Sequence, residues 1–372
     1  MRFPLFFFPA AVFLLGAVAA SAGEPLKTGS TPNLGDTVKD NGPGALQPLS
    51  WIPGDEKDVM NMSNLLDRRT EAAIKRGLDD LKNKQQPDGA WGKAVDKNRE
   101  GYTAFALIAY MINGYFPNKK QPYGETVTRG LDYLIKDSKG EHPGYIGGNM
   151  YAHGIATVAL SEAWGQTEKD DEVREVLKAA VNVILNSQNS AGGWRYNPVP
   201  GADDLSVTAM QVVALGSARQ AGIFVPDDVI NRGVRYLNLG HQAADGGFSY
   251  MPGAGISGFA RSAAACSSLM ILGRHDASQV KAGLDYLRKE SKKALEYTEA
   301  WSYGMYYATV AMNLASPEDF RWWYPQVRDV LLAKQLPDGS FGSPGKGHAD
   351  YETATALVVL GMPYSFVPTY QR

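Results

Sequence analysis

The sequence predicts an all-α fold: an (α/α)6 toroid of six helical hairpins in one domain. Three observations lead to it. A turn built on glycine and an aromatic residue recurs along the chain. A helical segment with a narrow apolar stripe precedes each copy, and a nearly uncharged helical segment follows it.

The fullest copy of the turn is Gln188-Asn189-Ser190-Ala191-Gly192-Gly193-Trp194. Its glycines allow backbone angles closed to other residues, and Trp194 supplies a large apolar plug. Gln86-Pro87-Asp88-Gly89-Ala90-Trp91, Gln242-Ala243-Ala244-Asp245-Gly246-Gly247-Phe248 and Gln335-Leu336-Pro337-Asp338-Gly339-Ser340-Phe341 restate it. Weaker copies stand at Pro143-Gly144-Tyr145-Ile146 and Thr298-Glu299-Ala300-Trp301. Aligned on Trp91, Ile146, Trp194, Phe248, Trp301 and Phe341, the copies step by 55, 48, 54, 53 and 40 residues.

Before the turns, apolar residues recur at helical spacing, as in Ile74/Leu78/Leu81, Val127/Leu131/Leu134, Leu177/Val181/Ile184, Ile230/Val234/Leu237 and Val280/Leu284/Leu287. Four of these segments share wording: Arg76-Gly77-Leu78, Arg129-Gly130-Leu131, Arg232-Gly233-Val234 and Ala282-Gly283-Leu284. The sixth, around Tyr324, Val327 and Leu331, matches less cleanly. One stripe on a charged helix marks an outer layer.

After the turns come 102–110, 151–160, 205–215, 260–272, 303–312 and 351–360, rich in Ala, Thr, Val and Leu. Helices apolar on every side must be buried on every side, so these form an inner layer. No single hairpin can bury both faces alone, so the repeats stack, and an apolar inner ring favours closure.

Composition is that of an ordinary globular protein, with 44% hydrophobic and 20% charged residues and a net charge of −2. Such a balance leaves no electrostatic footprint for nucleic acid and no polybasic membrane anchor. Residues 1–22 read as a secretory signal: Arg2, an apolar run from Phe3 to Ala19, then Ala20-Ser21-Ala22 as a small-residue cleavage site. Residues 23–63, rich in Gly, Pro, Asn and Asp without periodicity, read as a flexible N-terminal segment, and 64–366 as the toroid. Cys266 is the sole cysteine, so no intrachain disulfide is possible. The expected location is the periplasm or the extracellular space, with no membrane domain after signal cleavage.

A Gln-x-x-x-Gly-x-Trp/Phe turn between outer and inner helices resembles the repeat of squalene–hopene cyclases and protein prenyltransferase β-subunits. The resemblance spans roughly residues 64–362. It implies a central cavity that holds an isoprenoid. Cyclases of this type protonate an alkene with the third residue of Asp-x-Asp-Asp-Thr-Ala, a task for a strong, positioned acid. The matching stretch here is Asp204-Leu205-Ser206-Val207-Thr208-Ala209, with Ser206 and Val207 in place of the two carboxyls. The prenyltransferases hold zinc through Asp, Cys and His. Ser257, Phe259 and Glu352 stand at those positions, so neither a metal nor another cofactor is expected.

Polar residues at inner-helix starts remain as site candidates, because a toroid brings those starts to one rim. Asp203, Asp204 and Glu352 are the candidate catalytic acids; Tyr151, His153, Ser206, Arg261, Tyr303 and Asp350 are the candidate ligand-binding residues. Glu352 lies one turn inside an apolar helix and needs a partner such as Arg261, or a raised pKa. The leading reading is an exported toroid that binds an isoprenoid or other hydrophobic ligand without the usual cyclase acid or zinc. A second is a non-catalytic module that binds protein or glycan partners. A third is a carbohydrate-active (α/α)6 enzyme using Asp204 and Glu352. A ring centre filled by side chains would favour the second.

Overall fold

A computed structural model describes residues 65–118, 120–296, 301–342 and 348–371. The signal-like stretch 1–22, the segment 23–63 and Thr298-Glu299-Ala300 of the fifth turn lie outside the described residues. Within them, twelve α-helices follow one another. The inner ones are α2 (Arg99–Ile112), α4 (Met150–Ala163), α6 (Leu205–Gln220), α8 (Phe259–Ile271), α10 (Trp301–Ala315) and α12 (Ala349–Gly361). The outer ones are α1 (Arg68–Lys84), α3 (Gly124–Asp137), α5 (Asp170–Ser187), α7 (Asp227–Leu239), α9 (Ser278–Ala294) and α11 (Pro317–Lys334).

The inner helices pack in a closed circuit, each on the next, with α12 returning to α2. The uncharged segments are therefore buried on all sides, as the pattern requires. Each outer helix lies mainly on the inner helix before it: α3 on α2, α5 on α4, and so on to α11 on α10. The first outer helix has no predecessor and lies instead on α12. Three contacts thus close the ring: α12 with α2, α12 with α1, and α11 with α1. The compact hairpin runs inner-then-outer, and the aromatic turn links one hairpin to the next.

The repeated wording has a physical reason. The turn glutamine spans two layers: Gln188 Nε2 donates to Gly192 O at 3.0 Å and to Val229 O at 3.0 Å, at the start of the next outer helix. Gln85 and Gln335 do the same with Gly89 and Thr126, and with Gly339 and Ala73. In the first turn the bridging residue is Gln85, one place before the Gln86 of the sequence alignment. Gly192 has φ 93°, and a Cβ there would collide with the Arg232 carbonyl. Gly233 answers from the other side, since its bare Cα lets α7 close on the Trp194 ring and Val212. Arg232 Nε then donates to Gln188 Oε1 at 2.8 Å. Arginine, glycine and glutamine form one interlock, repeated at the closing seam by Arg76, Gly339 and Gln335.

Candidate functional site

The starts of the inner helices meet at one rim. Tyr151 of α4, Tyr303 of α10 and Tyr351 of α12 form its floor, each less than a tenth exposed. The Tyr151 and Tyr303 rings lie 6.0 Å apart, and Tyr151 and Tyr307 hydroxyls are 3.1 Å apart. Ser206 and Tyr151 are polar neighbours of the Tyr303 phenol, and Arg261 lies close enough to act on its charge. Arg261 itself is half-buried, donates to Ile256 O at 3.3 Å, and is ringed by the phenols of Tyr250, Tyr286 and Tyr303. Burial pulls its pKa below the usual arginine range. Tyr151, Ser206, Arg261 and Tyr303 are therefore brought together.

The remaining candidates are engaged elsewhere. Asp203 accepts from Tyr236 at 2.6 Å and from Asn189 at 2.6 Å, which ties it to the turn. Asp204 is wholly buried and caps α6, its Oδ1 accepting from the Val207 amide at 2.9 Å. Burial raises its pKa, the Val207 amide opposes that rise, and Arg195 stands 3.7 Å from Oδ2. Asp350 accepts from the Gly92 amide at 2.9 Å across the closing seam.

His153 is fully buried, with Nδ1 accepting from the Ile146 amide at 3.1 Å and Nε2 facing Ala180 O at 3.0 Å. In other repeats the turn amide is met by Thr103, Thr208, Ser262 or Thr353. His153 is the same structural acceptor in another residue type, and burial pulls its pKa down to about 4. Glu352 lines a cleft of about 10 Å³ with Trp301, Ser302, Met305, Phe341 and Thr355. That space is of the order of one water molecule.

Beneath the rim the axis is filled. Tyr303 stacks edge-on against Tyr307 at 4.8 Å, Tyr307 against Tyr306 at 4.7 Å, and Phe105 bridges Tyr306 at 5.4 Å and Tyr351 at 5.2 Å. At the far end Tyr370 enters from the C-terminus, its hydroxyl 2.7 Å from that of Tyr306. Asn313 Nδ2 donates to Tyr370 O at 2.6 Å. Glu162, on the last turn of α4, is buried beside Thr369 and Ser217. Glu162, Thr369 and Tyr370 were not among the sequence candidates. The one available signal was a lone acid ending the otherwise uncharged run Gly154–Ala163. Away from the axis, a groove of about 640 Å³ lies between α1 and α11, lined by Arg68, Arg69, Ala72, Arg76, Asp329 and Leu332.

Known structures share this arrangement. A type II terpene cyclase, MstE from Scytonema, superposes with a TM-score of 0.54 at 14% identity, covering 80% of this chain and 98% of that one. An α-1,6-mannanase from Salegentibacter superposes with a TM-score of 0.60 at 9% identity, over 79% and 99%. Cellobiose 2-epimerase from Bacillus thermoamylovorans gives 0.58 at 12% identity, over 82% and 99%. What they share with this chain is the toroid. No family model and no curated protein matches the sequence. The cyclase has been solved with geranylgeranyl dihydroxybenzoate as substrate, and the mannanase with α-1,6-mannotriose. One toroid therefore serves very different ligands, and the side chains at the rim and axis have to carry the functional argument.

Proposed function

We propose that this protein is an exported, non-catalytic binding toroid whose partner docks on the rim at the inner-helix starts. The observation that carries this reading is the filled axis: Tyr303, Tyr307, Tyr306 and Tyr370 occupy it from rim to far end. A ring so filled supports a surface without enclosing a ligand. Two of the three candidate acids make structural contacts, Asp203 with Tyr236 and Asn189, and Asp204, through Oδ1, as the cap of α6.

The rim beside them offers contact area. Tyr196, Val199, Met251 and Ile256 are exposed there, Arg195 lies over the Tyr196 ring at 5.6 Å, and Tyr196 and Tyr250 hydroxyls are 3.3 Å apart. Aromatic and arginine side chains grouped in this way suit recognition of a protein or a glycan.

The second reading is an isoprenoid held inside the ring. The tyrosine-rich lining favours it, because aromatic faces suit both apolar chains and cationic intermediates. It requires the tyrosines to part, at a cost that burial of the ligand must offset at about 0.8 kcal/mol per methylene. Titration with squalene and with a polyprenol, followed by tryptophan fluorescence, separates the two. A rim-binding toroid gives no saturable change. Saturable binding with the ligand recovered unchanged would transfer the proposal to the second reading, and recovery of a cyclic product would sink both.

Export rests on Ala20-Ser21-Ala22 after the apolar run. Sequencing of the mature protein should begin at Gly23. Met1 retained in a membrane fraction would overturn that. No helix among the described residues is long and apolar enough to cross a membrane.

A further inference from the structure

Arg261 is a cation at the rim without a counter-ion. It stands in the first turn of α8, half-buried, and its guanidinium is laid back on the turn before it, with Nη2 donating to Ile256 O at 3.3 Å. Gly258 supplies the seat, because a Cβ there would lie 2.6 Å from Arg261 Nη2. The Nε atom is buried and has no hydrogen-bond partner. Among the described residues the groups close enough to act on this charge are the phenols of Tyr250, Tyr286 and Tyr303, and no carboxylate is one of them.

The acids nearby are engaged with other partners. Asp204 Oδ2 stands 3.7 Å from Arg195, and Asp203 accepts from Tyr236 and Asn189. Asp245 accepts from the Ser257 hydroxyl at 2.7 Å and from the Gly247 amide at 3.0 Å. A guanidinium keeps its charge throughout the pH range of folded proteins, and drawing it from water without a counter-charge is costly. Its one hydrogen bond, to Ile256 O, is a task that a neutral donor performs as well. The charge is therefore better explained by an anion that arrives from outside.

The surroundings indicate what carries that anion. Turns 195–204 and 249–258 stand side by side, the Leu205 amide donating to Tyr250 O at 2.9 Å. The Tyr196 and Tyr250 hydroxyls are 3.3 Å apart, and Tyr196 is 45% exposed. Ser206, half-buried, adds a further hydroxyl at the start of α6. An aromatic face, hydroxyl partners and one recessed cation suit a sugar that bears its own carboxylate. Its ring covers the aromatic face, its hydroxyls meet Ser206 and Tyr250, and its carboxylate pairs with the guanidinium. An acidic protein segment would bring the charge on a rotatable arm, at an entropic cost that a rigid sugar ring avoids.

We propose that the rim binds an acidic glycan, the carboxylate of a uronic acid unit pairing with Arg261 between turns 195–204 and 249–258. The proposal rests on the rim reading above and names its ligand.

Trigalacturonate is the probe, with its methyl ester as the uncharged control. Calorimetry reads the affinity, and NMR follows the Arg261 Nε–H signal, assigned by its loss in Arg261→Gln. Saturable binding that shifts this signal is expected. Arg261→Gln should weaken binding roughly 10- to 100-fold, and esterification of the wild-type ligand should do the same without any variant. Gly258→Ala keeps the charge but takes the space of Nη2, so it too should weaken binding. No saturable binding of trigalacturonate overturns the proposal, as does an affinity unchanged by Arg261→Gln. Equal binding of acid and ester, lost in Tyr196→Ala but kept in Arg261→Gln, would defeat the proposal and leave the rim reading standing. Arg261-dependent binding of polyglutamate without binding of the sugar would assign the rim to an acidic protein and overturn the glycan. The rim reading itself fails separately, through the squalene titration.

Discussion

Trp194→Ala should destabilise the fold by about 3–5 kcal/mol, the range for deleting a large, fully buried aromatic side chain. Trp194 is 1% exposed, its amide donates to Thr208 Oγ1 at 3.0 Å, and its indole Nε1 donates to Ile184 O at 2.8 Å. It therefore joins α5, α6 and the bare Gly233 face of α7 at a single point. Alanine would leave a cavity bounded by three helices and strip the Ile184 carbonyl of a donor. For a chain of this size the melting temperature should drop by about 5–8 °C. Urea unfolding checks the free energy directly. A loss below about 1 kcal/mol would mean that neighbouring side chains collapse into the gap and that the turn does not hold the repeat together.

Gly339→Ala should cost more than Gly165→Ala, although both glycines have left-handed backbones, with φ 93° and φ 82°. Each substitution carries the strain of a Cβ in that region, about 1–2 kcal/mol. At Gly165 nothing else lies within 4 Å, so the strain is the whole effect. At Gly339 the new Cβ would run into the Arg76 carbonyl of α1, which is rigid helical backbone. The turn must then move away from α1 at the seam where the ring closes, adding on the order of 1–3 kcal/mol. Parallel denaturation of the two variants tests this. Equal losses would show that the α1 seam yields freely and that closure contributes little to stability.

Most of the fold was legible because its rules are local and repeated. Helical spacing of Leu78, Leu131 and Leu284 marked outer helices, and the lack of charge in 205–215 marked an inner one. Repetition allowed weak copies, such as Gly144-Tyr145-Ile146, to be placed by their phase. The site was less legible. Asp203, His153 and Asp350 carry the residue types of chemistry, yet each makes a contact to a turn, and Asp204 caps α6 with Oδ1 while its Oδ2 is buried without a hydrogen bond. In a sequence, an acid that caps a helix and an acid that attacks a substrate look the same. Only the direction of the side chain separates them. Tyr151, Ser206, Arg261 and Tyr303 do converge, because all four stand in the first turn of helices that share a rim.

The sequence by itself determined that this chain forms outer and inner helices in alternation and that their number suits a closed ring. Periodicity and burial are properties of one segment at a time, so they can be read one segment at a time. Which inner helix each outer helix covers was decided only in three dimensions, as was the seat of α1 on α12. So was the content of the ring. Tyr306 and Tyr370 are 64 residues apart and Glu162 and Thr369 are 207 apart. Whether such residues line an empty cavity or meet and fill it depends on the ring's diameter and on the path of residues 365–371. Neither is a local property, and no spacing in the sequence encodes them.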